Sequence, residues 1–490
     1  MKTIKPISVL IFIVLVMLVL AGVSAVFPKD GILIFNQKFL FPNLNSYFSS
    51  DKNQKTDISK IVALADAEDN LSDSVNAKSD SLIKKEIDYK EVNDTSIKLI
   101  TSIQYKDSAK NSLYNFFQSL AELTVDESET VRILHYGDSQ IEGDRITDYL
   151  RQKLQTHFGG KGPGFIAAMP VAQSVGLKQS WSDNWDRYTI FTSKDSRVPN
   201  NNYGVAAGFC RYAIYKDTAE IKNAWLKIKT TQSAGGLFAA YNKVKLFYAS
   251  STKNTQIQFL ENDVLKKTDT LDKGSFNVEQ FNLSQAPNTF EIKFQGKNSP
   301  DIFGLSLEGN GGVMVDNFGL RGSSGTFFNQ MNLQHLKLFY DYLNAKFIIL
   351  QFGGNALPSI PDKATADNFG NYLRSQINSI KKIAPSASIM VIGPADMSIK
   401  DGDSYVTYPQ LENVRDAIRL AAFQTNCAFF DMYDCMGGKN SMVSWVDQGI
   451  AATDYIHFSP AGARKIAVLL YSALMNDYNK FIQKKNNKNL

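Results

Sequence analysis

Apolar positions follow three different rhythms along this chain. The first is an unbroken apolar run from Ile7 to about Val23, preceded by Lys2 and Lys5 and ending in the small residues Val23-Ser24-Ala25. That arrangement predicts a signal sequence cut near Ala25 or an uncleaved membrane anchor of minimal length, and in either case export of the rest. The second rhythm alternates strands with helices. Val131 to Tyr136 predicts a strand, and Glu142 to Phe158 a helix with Ile146, Tyr149, Leu150 and Leu154 on one face. Ser108 to Leu123 also has helical spacing, through Leu113, Phe116, Phe117 and Leu120. After Gly312 the alternation resumes, with strands expected at 313–317, 346–352, 388–392 and 428–431. Helices are expected at 330–344, 364–383, 409–425 and 460–478. The third rhythm fills the space between. Short β-rich runs at 224–229, 243–248, 256–260 and 289–294 are separated by polar turns, at the spacing of an antiparallel sandwich.

These rhythms predict an α/β domain with a parallel sheet, interrupted by an inserted β-sandwich. Residues 1–27 are the signal peptide or membrane anchor. Residues 28–104 form a largely polar tether, apart from a short apolar segment, Gly31 to Phe41, suited to a hairpin. The α/β domain occupies 105–170 and 312–480, the insertion 171–311, and a polar tail 481–490.

Composition adds limits. A chain of 490 residues, 44% of them hydrophobic, is long enough for two or three folded units. The net charge of +5 comes partly from the two ends, and no long basic stripe accompanies it, which argues against nucleic acid as a partner. Three cysteines make no disulfide framework. Cys427 and Cys435 are able to pair after export, leaving Cys210 free; the alternative is three buried thiols.

The candidate chemistry starts at Gly137-Asp138-Ser139-Gln140, between a strand and a helix. A serine there projects from the carboxyl end of a sheet, where α/β proteins bind ligands, with its amide near a helix start. It is not an α/β-hydrolase elbow, because Ile141 stands where that motif has a second glycine. The second piece is Asp454-Tyr455-Ile456-His457, leading into a helix at Pro460. An acid three residues before a histidine can reach round a turn to Nδ1 and leave Nε2 to take a serine's proton. The other histidines, His135, His157 and His335, lie in a strand or in helices without an acid in register. Two strand-ending turns, Asn317 to Ser323 and Phe352-Gly353-Gly354-Asn355, offer a glycine amide and an Asn side chain as oxyanion donors. The histidines are too scattered for a metal site, so neither metal nor cofactor is expected.

In this order the four segments resemble the sequence blocks of the SGNH (GDSL-type) hydrolases. The resemblance covers roughly 108–170 and 312–480 and implies a three-layer SGNH-type domain. It implies Ser139 as nucleophile, His457 as base and Asp454 as its orienting partner. The Ser139 amide, the Gly322 amide and the Asn355 side chain become the oxyanion donors. The chain departs from the commonest pattern in having Gln140 after the serine and Ala356 where many members have Asp. The glycine-rich run Phe158 to Gly164, followed by a β-rich insertion, is most similar to the branch that contains peptidoglycan O-acetylesterases. In that branch a carbohydrate-binding-module-like domain interrupts the catalytic fold. The glycine-rich run is not a phosphate loop, since no Ser or Thr follows Lys161.

The expectation is an exported serine esterase, periplasmic or at the cell surface, removing O-acetyl groups from a cell-envelope glycan such as peptidoglycan. An O-acetyltransferase with the same triad is the first alternative, and a non-catalytic glycan-binding envelope protein the second. Trp181, Trp185, Tyr188, Tyr203 and Trp225 in the insertion are candidates for stacking on sugar rings or for the sandwich core. Arg321 is a candidate for an acidic substrate or a surface salt bridge.

Overall fold

The structure is a computed structural model that describes residues 6–27, 32–34, 37–39, 54–77, 101–123, 128–191, 198–212 and 220–488. Its central sheet has six strands in the order Gly312–Gly319, Thr130–Gly137, Ala345–Gln351, Ser388–Ile392, Ala428–Phe430 and Ile103–Gln104. The first five run parallel, and Ile103–Gln104 closes the edge antiparallel. Alternate residues of each strand feed separate cores. Ile133, Val315 and Ile349 pack with the helices Tyr114–Leu123, Thr147–Phe158 and Pro460–Lys488. Leu134, Ile348 and Leu350 pack with Leu333–Tyr342, Lys363–Ile383 and Leu411–Gln424. A sheet covered on both faces explains why its strands read as continuous apolar runs. Asn332 and Asp362 accept from the first amides of two of these helices, which fixes where they start. This is the three-layer arrangement expected of an SGNH-type domain.

Two antiparallel sheets accompany it. One has the order Val264–Thr270, Gln256–Glu261, Thr289–Gly296, Lys222–Thr230, Leu177–Trp181. The other has Gly274–Asn282, Lys243–Ser250, Asp301–Glu308, Gly208–Arg211, Asp186–Thr189, with Gly164–Ile166 added against Asp301–Glu308. Gly164–Ile166 lies upstream of 171, so the β region recruits chain from the segment assigned to the α/β domain. Their inner faces share a core containing Leu226, Leu246, Phe259 and Ile292. Three of the aromatics considered for sugar stacking, Trp185, Tyr188 and Tyr203, are buried in core clusters, while Trp181 and Trp225 are half-buried. The β region is also not sealed off. Phe165, Phe209, Phe247 and Phe303 join the core beneath Leu333–Tyr342, where the Phe247 and Phe339 rings lie 6.0 Å apart.

The amino-terminal segments differ from a free tether. The apolar helix Pro6–Val26 stands exposed, and Ile32–Ile34 pairs with Gln37–Phe39 as a hairpin. The helix Ser59–Ala77 docks on Pro460–Lys488. Ile58, Ile61, Leu64 and Ala65 are buried there, and Asp69 and Asp66 pair with Arg464 and Lys465. The polar composition of this stretch belongs to one face only, so it read as unstructured. Residues 78–100 of the expected tether lie outside the described residues. At the other end Pro460–Lys488 continues helical through most of the expected polar tail. All three cysteines are free and buried, so Cys427 and Cys435 are not paired.

Candidate active site

The Thr130–Gly137 strand delivers Asp138 and Ser139 at its carboxyl end. Gly137 is required there, because a Cβ would sit 2.9 Å from Ile141 Cδ1 and 3.1 Å from the Gln351 carbonyl. Asp138 Oδ1 accepts the Gln140 amide at 3.0 Å and shapes the turn. The carboxyl is 5% exposed, and burial pushes its pKa up to about 6 against the hydrogen bonds that oppose it.

The loop before Pro460–Lys488 delivers the histidine. Asp454 Oδ1 accepts the amides of Ile456 and His457 at 2.9 and 3.0 Å, which folds the acid back on the turn. Its Oδ2 then lies 2.8 Å from His457 Nδ1. Partial burial raises the Asp454 carboxyl, but the bonds from His457 and Ile456 outweigh it and hold the pKa below the usual range. Tyr455 adopts φ +59°, and its ring stacks on Tyr405 at 3.7 Å and 8°. His457 Nε2 is 2.8 Å from Ser139 Oγ, which joins residues 318 apart in sequence. A histidine held in this way can accept the serine proton while the acid keeps Nδ1 protonated.

Asn355 follows the neighbouring strand Ala345–Gln351. With Ser139, His457, Asp138, Pro394 and Met397 it lines a cavity of about 210 Å³. Its Nδ2 donates to Asp138 Oδ2 at 3.1 Å and to the Ser323 carbonyl at 3.2 Å. Gly322, with φ +77°, is exposed in the turn after Gly312–Gly319 and does not line that cavity. It connects to it through its neighbour Ser323. Arg321 forms a bidentate ion pair with the buried Glu142, pinning this turn to the one after Ser139.

Several residues at the site gave no signal in sequence. Gln140, a departure from the commonest pattern, donates from Nε2 to the Ile456 carbonyl at 2.7 Å and ties the serine turn to the histidine loop. Exposed Arg145 donates to the Ser139 carbonyl at 3.3 Å. Within the strand that leads to Ser139, buried His135 has Nδ1 3.0 Å from Thr147 Oγ1 and Nε2 3.1 Å from Gln351 Oε1, and burial lowers its pKa to about 4. Among the described residues no group of three His, Cys, Asp or Glu side chains is placed to hold a metal ion.

Residues 289–465 match the GDSL-like lipase/acylhydrolase family. The chain carries a GDSL-type hydrolase domain. The matched stretch of this hydrolase contains Gly322, Asn355, Asp454 and His457; the Ser139 turn lies on the far side of the insertion in sequence. No curated protein sequence matches the hydrolase. Among solved structures, a peptidoglycan O-acetylesterase superposes with a TM-score of 0.60 at 22% identity, covering 75% of this chain and 96% of the other. The two share a fold. A family two carbohydrate esterase from Cellvibrio japonicus gives a TM-score of 0.24 at 11% identity, covering 62% and 99% of the two chains. An acetyl xylan esterase gives 0.24 at 17% identity, over 33% and 81%.

Proposed function

We propose that this hydrolase is an exported serine esterase that removes O-acetyl or similar acyl groups from a cell-envelope glycan such as peptidoglycan. The observation that carries the reading is the hydrogen-bonded chain Ser139 Oγ, His457 Nε2 and Nδ1, Asp454 Oδ2, each link 2.8 Å long. Ser139 Oγ attacks the ester carbonyl as His457 Nε2 takes its proton, and Asp454 stabilises the imidazolium that forms. The Ser139 and Gly322 amides and the Asn355 side chain receive the developing oxyanion. Asn355 reaches it by exchanging one of its resting partners, Asp138 or the Ser323 carbonyl. The deacylated alcohol leaves with the proton from His457. Water, deprotonated by the same nitrogen, then attacks the acyl-serine and releases acetate.

Export is supported by the exposed helix Pro6–Val26, whose Ile7–Ser24 window has a mean hydropathy of 3.0. The glycan substrate is supported by the fold shared with the peptidoglycan O-acetylesterase. The test is acetate released from O-acetylated peptidoglycan and from other acetylated glycans, with Ser139→Ala as control. The expected result is Ser139-dependent release from peptidoglycan. No release from any glycan, or acetyl appearing on a sugar acceptor in place of water, overturns the reading.

A further inference from the structure

A second cavity of about 390 Å³ lies between the α/β domain and the β region, on the other side of the Ser139 turn. That size is within the range of small-ligand pockets, about 300–1,000 Å³. Its inner wall is built from the turns that follow the two strands flanking Ser139 and Gly322. Glu142 and Gly143 come from the turn after Ser139, and Gly319, Leu320 and Arg321 from the turn that leads to Gly322. The floor is electrically balanced, because buried Arg151 is paired with Asp144 at 2.7 and 2.9 Å and its Nε donates to the Val315 carbonyl. The β region supplies apolar walls, among them Phe165, Met169 and Phe209. At the mouth two large apolar side chains stay in water, Val171 at 53% and Phe191 at 44% exposure. Two cations line the same cavity, Arg187 and Arg321. Among the described residues the Arg187 guanidinium has one partner, the Met169 carbonyl at 3.5 Å. Arg321 uses Nε and Nη2 on Glu142 and leaves Nη1 open, with its side chain 61% exposed.

A neutral sugar ring satisfies neither the apolar walls nor the arginines. A simple acyl chain fits the walls and leaves the cations without a counter-charge. A short acidic peptide with small apolar side chains answers both, its methyl groups against the walls and its carboxylates on the guanidinium groups. We propose that this cavity is a peptide subsite. It holds the acidic peptide carried by the glycan substrate while the acetylated sugar lies over Ser139. The inference rests on the peptidoglycan reading above and deepens it. It also gives the β region a role in substrate selection that does not depend on stacking aromatics, three of which are buried in cores.

The test is equilibrium binding of a fluorescein-labelled tetrapeptide of alanine and glutamate, followed by anisotropy, to the full chain. Two variants are compared with the unaltered protein: Arg187→Ala, which removes the open cation, and Val171→Asp, which places a negative charge at the mouth. Both positions are exposed, so both variants keep the fold. Saturable binding is expected, weakened about tenfold by each substitution, the size of one lost charge-assisted contact. Absence of saturable binding, or an affinity in both variants equal to that of the unaltered protein, overturns the subsite. Acetate release from O-acetylated peptidoglycan, measured on the same preparation, separates the two readings. Release without peptide binding overturns the subsite, whereas peptide binding without release supports it and overturns the esterase.

Discussion

Asn355 donates to Asp138 Oδ2 at 3.1 Å and to the Ser323 carbonyl at 3.2 Å, so both amide hydrogens are engaged in the resting site. Its proposed role as an oxyanion donor is made only in the transition state, and losing it affects turnover more than binding. Asn355→Ala is expected to lower kcat about a hundred- to a thousandfold with little change in KM. Because it also strips a donor from a buried carboxyl, it should cost about 1–3 kcal/mol of stability. Normal kcat with a lowered melting temperature would make Asn355 scaffold alone. His135 gives a second test, through pH. Its folded pKa of about 4 lies below the unfolded value near 6.5, so between those values the unfolded chain binds the extra proton. Stability therefore rises with pH across that window and is lost on acidification, by about 3 kcal/mol in full. His135→Gln should flatten the fall in melting temperature from pH 6.5 to 4; an unchanged slope rules His135 out as its source. At this scale the sequence was legible where partners are close in chain, as Asp454 is to His457. The Gln140 bond to Ile456 spans 316 positions and left no trace.

The parallel strands were legible as elements because a strand buried on both faces has no polar alternation, and Ser388–Ile392 ends where its apolar run ends. Two kinds of element were not. The hairpin Ser398–Asp401 with Ser404–Thr407 is polar and mostly exposed or half-buried, so its pairing leaves no apolar pattern. The helix Ser59–Ala77 buries a narrow stripe beneath an acidic face. The glycine-rich run after Phe158 shows what composition hides. It reads as a flexible turn, yet Gly162, with φ +93°, passes so close to the Asp301–Glu308 strand that a Cβ would sit 2.3 Å from the Leu307 carbonyl. Gly162→Ala should therefore destabilise the protein by about 3 kcal/mol in denaturant titration. Gly235→Ala, with open space around it, is the matched control. Equal stability in the two would mean that the run is as loose as its composition suggests.

At the scale of the whole molecule, one buried cation links the two parts in addition to their common aromatic core. Arg132 in the central sheet binds Asp316 of the neighbouring strand and Glu308 of the β region, each at 2.7 Å, and all three are buried. The Arg132 and Lys245 charges overcome the burial of Glu308 and hold its pKa down to about 2. Arg132→Met leaves buried Asp316 without its cation and Glu308 with Lys245 alone, and should cost about 3–5 kcal/mol. The aromatic core is continuous between the parts, so calorimetry should give a single unfolding transition, lowered as one in the variant. A separate melt of residues 171–311 would show instead an insertion that folds on its own. The proposed active site likewise joins distant segments, since Ser139 and His457 come from opposite sides of the insertion. The central claim is that they act as one unit. The direct measurement is p-nitrophenyl acetate hydrolysis by Ser139→Ala, His457→Ala and the double variant, with melting temperatures recorded alongside. Each single variant should lose several orders of magnitude in kcat with the fold intact, and the double should be hardly worse than either. Near-normal turnover in both single variants, or losses that multiply in the double, would contradict the account.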